Sequence, residues 1–459
     1  MAYQSVNPYT GKLIQTYPST TDQEVEVALK NADEFYQLAK TQPIEKRAEK
    51  LQLIADTFRE NLDDYARLIT TNMGMLFTEA QAEVKKTIEF AEYYAQNAAK
   101  LLEDTPYNDV PGVRAHVKYQ SIGAILLVEP WNFPYTQIMR VFAPNFMVGN
   151  PVLLKDPSII PDCSDAFATV TQKAGIPTGA FKNLLINYDQ VNTIIADPRV
   201  QGVALTGSEG AGKKIAAEAG ANLKKSTMEL GGTDVFIVTE DADLDQAIKV
   251  GAKARLTNAG QVCTSAKRFI INSKVYDQFL DGLIAEFAKR KIGDPQDPKT
   301  TLAPLSSKSA QEKLQKQVDM AIAGGAELLW GDNTPFEGPG ASFHPLILSG
   351  MQPDNPMYDQ ELFGPVAQVY KVDSDEEAIE LANASQHGLG GTVFAGDLDR
   401  AEKLASQIET GQVAINQMLT SHASLPFGGV KLSGYGRELS DLGIANLLTL
   451  RRLLMDKNR

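Results

Sequence analysis

Through the first hundred residues apolar side chains return every three or four positions, at Val25, Ala28, Ala32 and Tyr36 and again at Ala48, Leu51, Ile54 and Phe58. That period gathers them on one face of a helix. Thr21, with Glu24 three residues on, reads as a capping box at a helix start. The pattern changes near residue 105, where Pro106, Asn108, Asp109, Pro111 and Gly112 form a cluster of chain breakers ahead of an alternating run over 113–119. Alternation predicts a strand with one exposed face, an extension suited to meeting a partner subunit.

From residue 123 short apolar runs alternate with helical segments: Ile125 to Val128, Val152 to Leu154, Asn183 to Ile186, Gly202 to Leu205, Ser226 to Leu230 and Val235 to Val238. Apolar strands separated by helices imply a parallel sheet covered on both faces, an α/β fold. A second strand-and-helix series begins near Gly231-Gly232 and runs to about residue 415, which puts a domain boundary close to Gly231. The tail from Gly436 ends in an apolar run, Leu447 to Leu454, fit to pair with a sheet edge.

Composition narrows the functions this fold can serve. The 459 residues suggest two or three domains at roughly 150 residues each. Lys and Arg number 44 against 57 Asp and Glu, so the net charge of −13 disfavours nucleic acid and anionic membranes as partners. Hydrophobic residues at 43% and charged residues at 22% exclude a disordered chain. The most apolar stretch, Ile122 to Val128, is bounded by Glu129 and falls far short of the roughly 20 residues that cross a bilayer. Met1 to Pro8 carry neither a secretory nor a transit pattern, and the only cysteines, Cys163 and Cys263, make no disulfide framework. A cytoplasmic protein is expected.

Candidate chemistry is sparse. The histidines at 116, 344, 387 and 422 are scattered, so no metal site is expected. The segment Gly207-Ser208-Glu209-Gly210-Ala211-Gly212-Lys213-Lys214 follows a predicted strand and opens a predicted helix, where backbone N–H groups can meet a phosphate. A magnesium-holding Ser or Thr is missing at Lys214, and the spacing is not Gly-x-Gly-x-x-Gly, so an ordinary strand-to-helix turn stays open as the alternative. Cys263 is flanked by small and polar residues, although free cysteines are commonly buried and inert, the reading kept for Cys163. Glu229 sits inside an apolar strand that ends in two glycines, where desolvation would raise its pKa toward that of a general base. Asn132, between aromatics and prolines, is either a fixed donor to an oxyanion or a turn residue.

Together these segments resemble the NAD(P)-dependent aldehyde dehydrogenase superfamily. The resemblance runs in order through Pro-Trp-Asn-Phe-Pro at 130–134, Leu-Lys at 154–155, Thr-Gly-Ser at 206–208, Glu-Leu-Gly-Gly at 229–232, Gly-Gln-Val-Cys at 260–263, Glu-Leu-Phe-Gly-Pro at 361–365 and Pro-Phe-Gly-Gly at 426–429. It implies that Cys263 attacks an aldehyde and that Asn132 and the Cys263 N–H hold the oxyanion. Hydride then passes to the nicotinamide, and Glu229 activates water to release the acid. Lys155 is implied at the adenosine ribose, Gly207 and Ser208 at the pyrophosphate, and Glu361 and Phe363 at the nicotinamide ribose.

The fold it implies is a Rossmann-type cofactor domain over 1–108 and 123–230, an α/β catalytic domain over 231–420, and oligomerisation strands over 109–122 and 436–459. A homodimer or homotetramer is implied with it.

Arg140 resembles the arginine that binds the far carboxylate in succinate-semialdehyde dehydrogenases, which makes succinate semialdehyde the expected substrate. Ser421, His422 and Ser424 stand where substrate-tunnel residues are expected, while Arg268 is read as structural. Ser158 replaces a glutamate common in NAD-preferring members, so NADP is expected in preference to NAD, with Tyr188 as a further contact. Asp156 would oppose that preference if it faced the pocket. The rival readings are a CoA-acylating semialdehyde dehydrogenase, which typically lacks the glutamate seen at Glu229, a general aliphatic aldehyde dehydrogenase, and a scaffold of the same fold that has lost catalysis.

Overall fold

A computed structural model describes residues 3–107, 111, 113–338 and 340–456. Asn108, Asp109 and Gly112 of the expected breaker cluster lie outside the described residues, as do the first two and last three residues of the chain.

The helical opening forms as the periodicity predicts, with helices Asp22–Ala39 and Ile44–Glu60, and Thr21 and Glu24 close the capping box. The long helix Phe77–Leu101 follows and packs against Ile44–Glu60 and against Thr136–Val148.

Two parallel-rich sheets organise the rest. The first has six strands in the order Gly434–Tyr435, Lys225–Glu229, Val200–Thr206, Ala124–Val128, Val152–Lys155 and Phe181–Leu184. All neighbours are parallel except Gly434–Tyr435, which runs antiparallel to Lys225–Glu229. The strand expected over Asn183 to Ile186 occupies Phe181–Leu184, because Phe181 pairs with Val152 and packs into the aromatic core through Phe142 and Phe167. Apolar clusters cover both faces of this sheet, which explains why its strands read as continuous hydrophobic runs.

The second sheet has seven strands in the order Glu327–Trp330, Leu346–Ser349, Val366–Val372, Arg268–Asn272, Val235–Val238, Gly391–Phe394 and Val413–Ile415, parallel except for the first pair. Gly231 lies between the last strand of the first series, ending at Glu229, and the first strand of the second, starting at Val235.

The apolar tail forms the strand Thr449–Asp456 and pairs antiparallel with Val113–Gln120 of its own chain, which pairs in turn with Thr105–Tyr107. No helix among the described residues is long and apolar enough to cross a membrane.

Candidate active site

Parallel strands present all their C-terminal ends on one edge, and loops leaving that edge gather there. The loop after Ala124–Val128 carries Asn132, the turn after Val200–Thr206 carries Gly207 and Ser208, and Glu229 closes Lys225–Glu229. A cleft of about 610 Å³ is lined by Trp131, Asn132, Gly207, Ser208, Cys263, Glu361 and Phe363, among others. Its wall thus combines loops of both sheets.

Cys263 follows a tight left-handed turn, with φ of 51° at Asn258, 52° at Ala259 and 76° at Gly260. Non-glycine residues hold that conformation at a cost of order 1–3 kcal/mol each, so the surroundings must enforce it. Gln261 Nε2 donates to the Asn258 carbonyl at 3.1 Å, and the fully buried Arg255 guanidinium donates to the Gly260 carbonyl at 2.9 Å. A Cβ at Gly260 would run into the backbone of Gly364.

Asn132 is buried, and its amide is oriented at both ends: Nδ2 donates to the Gln261 carbonyl at 3.0 Å, while Oδ1 accepts from Gln137 Nε2 at 3.1 Å. The NH2 side therefore faces the cysteine loop, the orientation an oxyanion donor needs.

Burial pushes the Cys263 thiol up to about 12, while the Lys267 and Arg140 charges pull it down. Lys267 is itself 1% exposed, donating to the carbonyls of Val262 at 3.0 Å and Cys263 at 2.6 Å and pairing with Glu361 Oε1 at 3.0 Å. In the sequence nothing local marks it, since a lysine next to an arginine before a strand looks like solvated surface. Glu361 also sits so close to Gly231 that a Cβ there would lie 2.6 Å from its Oε2.

Glu229 is 2% exposed. Burial raises its pKa well above the carboxylate range, the Glu438 charge adds to the rise, and Arg140 and Arg437 oppose it. Arg140, expected to reach a substrate carboxylate, is instead 5% exposed and paired with Glu438. Its NH2 group donates to Thr206 Oγ1 at 3.3 Å and its guanidinium lies 4.6 Å from the Phe427 ring centre. It is not among the side chains lining the cleft, and the buried carboxyls Glu438, Glu129 and Glu229 surround it, so in this structure its charge is engaged by them.

Trp131 and Phe363 meet edge-on across the cleft, ring centres 5.9 Å apart. Ser208 caps the helix Glu209–Ala221 through Ala211 N at 3.4 Å, and the N–H groups of that first turn are available to a pyrophosphate. Lys155 ends a strand nearby, its Nζ lying 5.7 Å from the Tyr3 ring and 5.9 Å from the exposed Tyr188 ring. Ser158 is partly exposed three residues on. Asp156 is fully buried and bonded to Ser164 Oγ at 2.5 Å, so it does not face the pocket, and burial raises its pKa to about 7. Ser421, His422 and Ser424 belong to a loop that does not line the cleft, with His422 Nε2 3.0 Å from Thr420 Oγ1. Arg268 is structural, tying the carbonyls of Thr233, Leu381 and Ala382 at 2.8–2.9 Å.

A doubly covered parallel sheet facing a cysteine loop defines a class, and the chain belongs to the aldehyde dehydrogenase family, whose model matches residues 1–452. Among its relatives, the succinate-semialdehyde dehydrogenase (NADP(+)) of Deinococcus radiodurans is 44% identical over 442 residues, 96% of this chain and 92% of that protein. The protein of the same name from Mycobacterium avium is 41% identical over 447 residues, 97% of this chain and 94% of that protein. The crystal structure of succinic semialdehyde dehydrogenase from Streptococcus pyogenes in complex with NADP+ superposes with a TM-score of 0.97 at 48% identity, covering 99% of this chain and all of that one.

Proposed function

We propose that the protein oxidises succinate semialdehyde to succinate with NADP as the hydride acceptor. The observation that carries this reading is the placement of Cys263 and Asn132 on one cleft with the Gly207-Ser208 turn, in a chain whose relatives bear that activity in their names.

In this reading Cys263 gives up its proton, and Sγ bonds to the aldehyde carbon. The carbonyl oxygen becomes an oxyanion held by Asn132 Nδ2 and the Cys263 N–H. The nicotinamide supplies a two-electron acceptor for the hydride, which leaves a thioester on Cys263. Glu229 in its carboxylate form takes a proton from water, whose oxygen bonds to the acyl carbon as the C–S bond breaks. The acid departs and the thiol recovers its proton. The net change is aldehyde plus water plus oxidised cofactor giving acid, reduced cofactor and one proton.

The cofactor residues fit the same picture. The Ser208 turn takes the pyrophosphate, Glu361 and Phe363 take the nicotinamide ribose, and Lys155 and Ser158 meet the 2′-phosphate without an opposing surface acid, since Asp156 is turned inward. We assign the first sheet to cofactor binding, the second to catalysis, and the strand Thr449–Asp456 to assembly of a cytoplasmic homodimer or homotetramer. A panel of charged and uncharged aldehydes with both cofactors tests the substrate: the highest kcat/KM is expected for succinate semialdehyde with NADP. A higher value for uncharged aldehydes would overturn the assignment.

A further inference from the structure

Near its N-terminus the long helix Phe77–Leu101 carries Glu79 and Glu83 one turn apart, and both are spent on the loops that form the site. Glu83 is 4% exposed. Its Oε1 accepts from the N–H of Tyr135 at 2.9 Å and of Thr136 at 2.6 Å. Those groups open the helix Thr136–Val148, whose own N-cap residue makes no side-chain cap. The cap is therefore supplied from a different helix, three residues after Asn132, and Thr136 Oγ1 adds a bond to the Glu83 carbonyl at 3.1 Å.

Glu79 does the equivalent for the other loop. Both its carboxylate oxygens lie 3.2 Å from the N–H of Asn258, the first left-handed residue ahead of Cys263. Asn258 Nδ2 then donates to the Asn132 carbonyl at 3.0 Å, and Asn132 Nδ2 to the Gln261 carbonyl at 3.0 Å. The bonds close a circuit from the helix through Glu79, Asn258, Asn132 and Tyr135 back to Glu83. Desolvation lifts both carboxyls to about 7, a cost that surface acids would not carry.

We infer that Glu79 and Glu83 are a pair of positioning residues that hold the Asn132 loop and the Cys263 loop in the mutual geometry required to bind the oxyanion. This rests on the roles proposed above for Asn132 and Cys263. A misplacement of about 1 Å between such groups costs on the order of 10²-fold in rate, whereas Lys155, Ser158 and the Gly207-Ser208 turn, proposed to hold the 2′-phosphate and pyrophosphate, lie outside both loops.

Two conservative substitutions separate reach from charge. Glu83→Gln and Glu79→Gln keep an acceptor oxygen at full reach; Glu83 uses Oε1 for both its bonds, so glutamine can preserve both. Glu83→Asp and Glu79→Asp keep the charge but withdraw the oxygens by one methylene. The expected result is a kcat loss of about tenfold or more in the aspartate variants, with KM for NADP within about twofold of wild type, and recovery of most of the kcat in the glutamine variants. Wild-type kcat in the aspartate variants would overturn the inference, as would equal losses in the glutamine variants or a loss confined to the KM for NADP. If the aspartate variants do not fold, Asn258→Gly reads the same circuit, because it tolerates the left-handed turn and keeps the N–H but deletes the amide that reaches Asn132. A tenfold fall in kcat is expected there as well, and wild-type kcat would overturn the inference. Retained turnover in Cys263→Ala would instead sink the proposed function itself, so the two failures are distinguishable.

Discussion

In the proposed mechanism Glu229 acts as a base from a site in which burial and the neighbouring Glu438 charge favour its protonated form. Its pKa is raised, so the competent carboxylate becomes more abundant as pH increases. Steady-state turnover should therefore climb as pH rises beyond the ordinary carboxylate range, and a pH–rate profile should show that limb vanish in Glu229→Gln along with repeated turnover. Arg140 makes a different prediction from the one a substrate clamp would make. Replacing it with Met leaves Glu438 and Glu129 buried without their cation, which should cost about 3–5 kcal/mol in urea denaturation. Losing the guanidinium would raise the folded-state pKa of those carboxyls further, so the deficit should grow as pH rises above their ordinary range. Unchanged stability, with a KM increase confined to the charged aldehyde, would restore the clamp. The arginine was visible in the sequence but its partner was not, because Glu438 reaches it only through the tertiary fold.

At the scale of elements, the proposed NADP preference turns on what the turn after Val152–Lys155 lacks. Ser158→Glu should place a carboxylate where a 2′-phosphate would lie and shift the NADP/NAD ratio of kcat/KM toward NAD; an unchanged ratio would remove Ser158 from the explanation. The strands of the first sheet were legible because both faces are buried, leaving continuous apolar runs, and the Thr21–Glu24 cap was legible because it is local. The short strands Val430–Lys431 and Gly434–Tyr435 were not, since two residues carry no hydrophobic period. Nor was the left-handed turn at Asn258-Ala259: asparagine tolerates the conformation but alanine does not signal it, and distant groups such as Glu79 and Arg255 enforce it. The motif residues of the cleft were recognisable as a set, whereas Lys267, Glu79 and Glu83 acquire meaning only from the loops they touch.

For the whole molecule, the strand Thr449–Asp456 leaves Leu450 61% and Leu454 55% exposed even though it pairs with Val113–Gln120. Four residues apart on one strand, they share a face that a neighbouring subunit can cover. The double substitution Leu450→Glu and Leu454→Glu should convert an oligomer to monomer by light scattering after gel filtration, and an unchanged mass would remove this face from the assembly. With a net charge of −13, attraction of an anionic substrate and cofactor must come from local donors rather than the overall field. The proposed chemistry is covalent and falls on one thiol. The most direct measurement is mass spectrometry of Glu229→Gln after exposure to succinate semialdehyde and NADP. The account predicts one succinyl group, mapped to the peptide containing Cys263 and formed with one equivalent of reduced cofactor. Reduced cofactor accumulating catalytically with no acyl group on Cys263, or an acyl group on another residue, would contradict it.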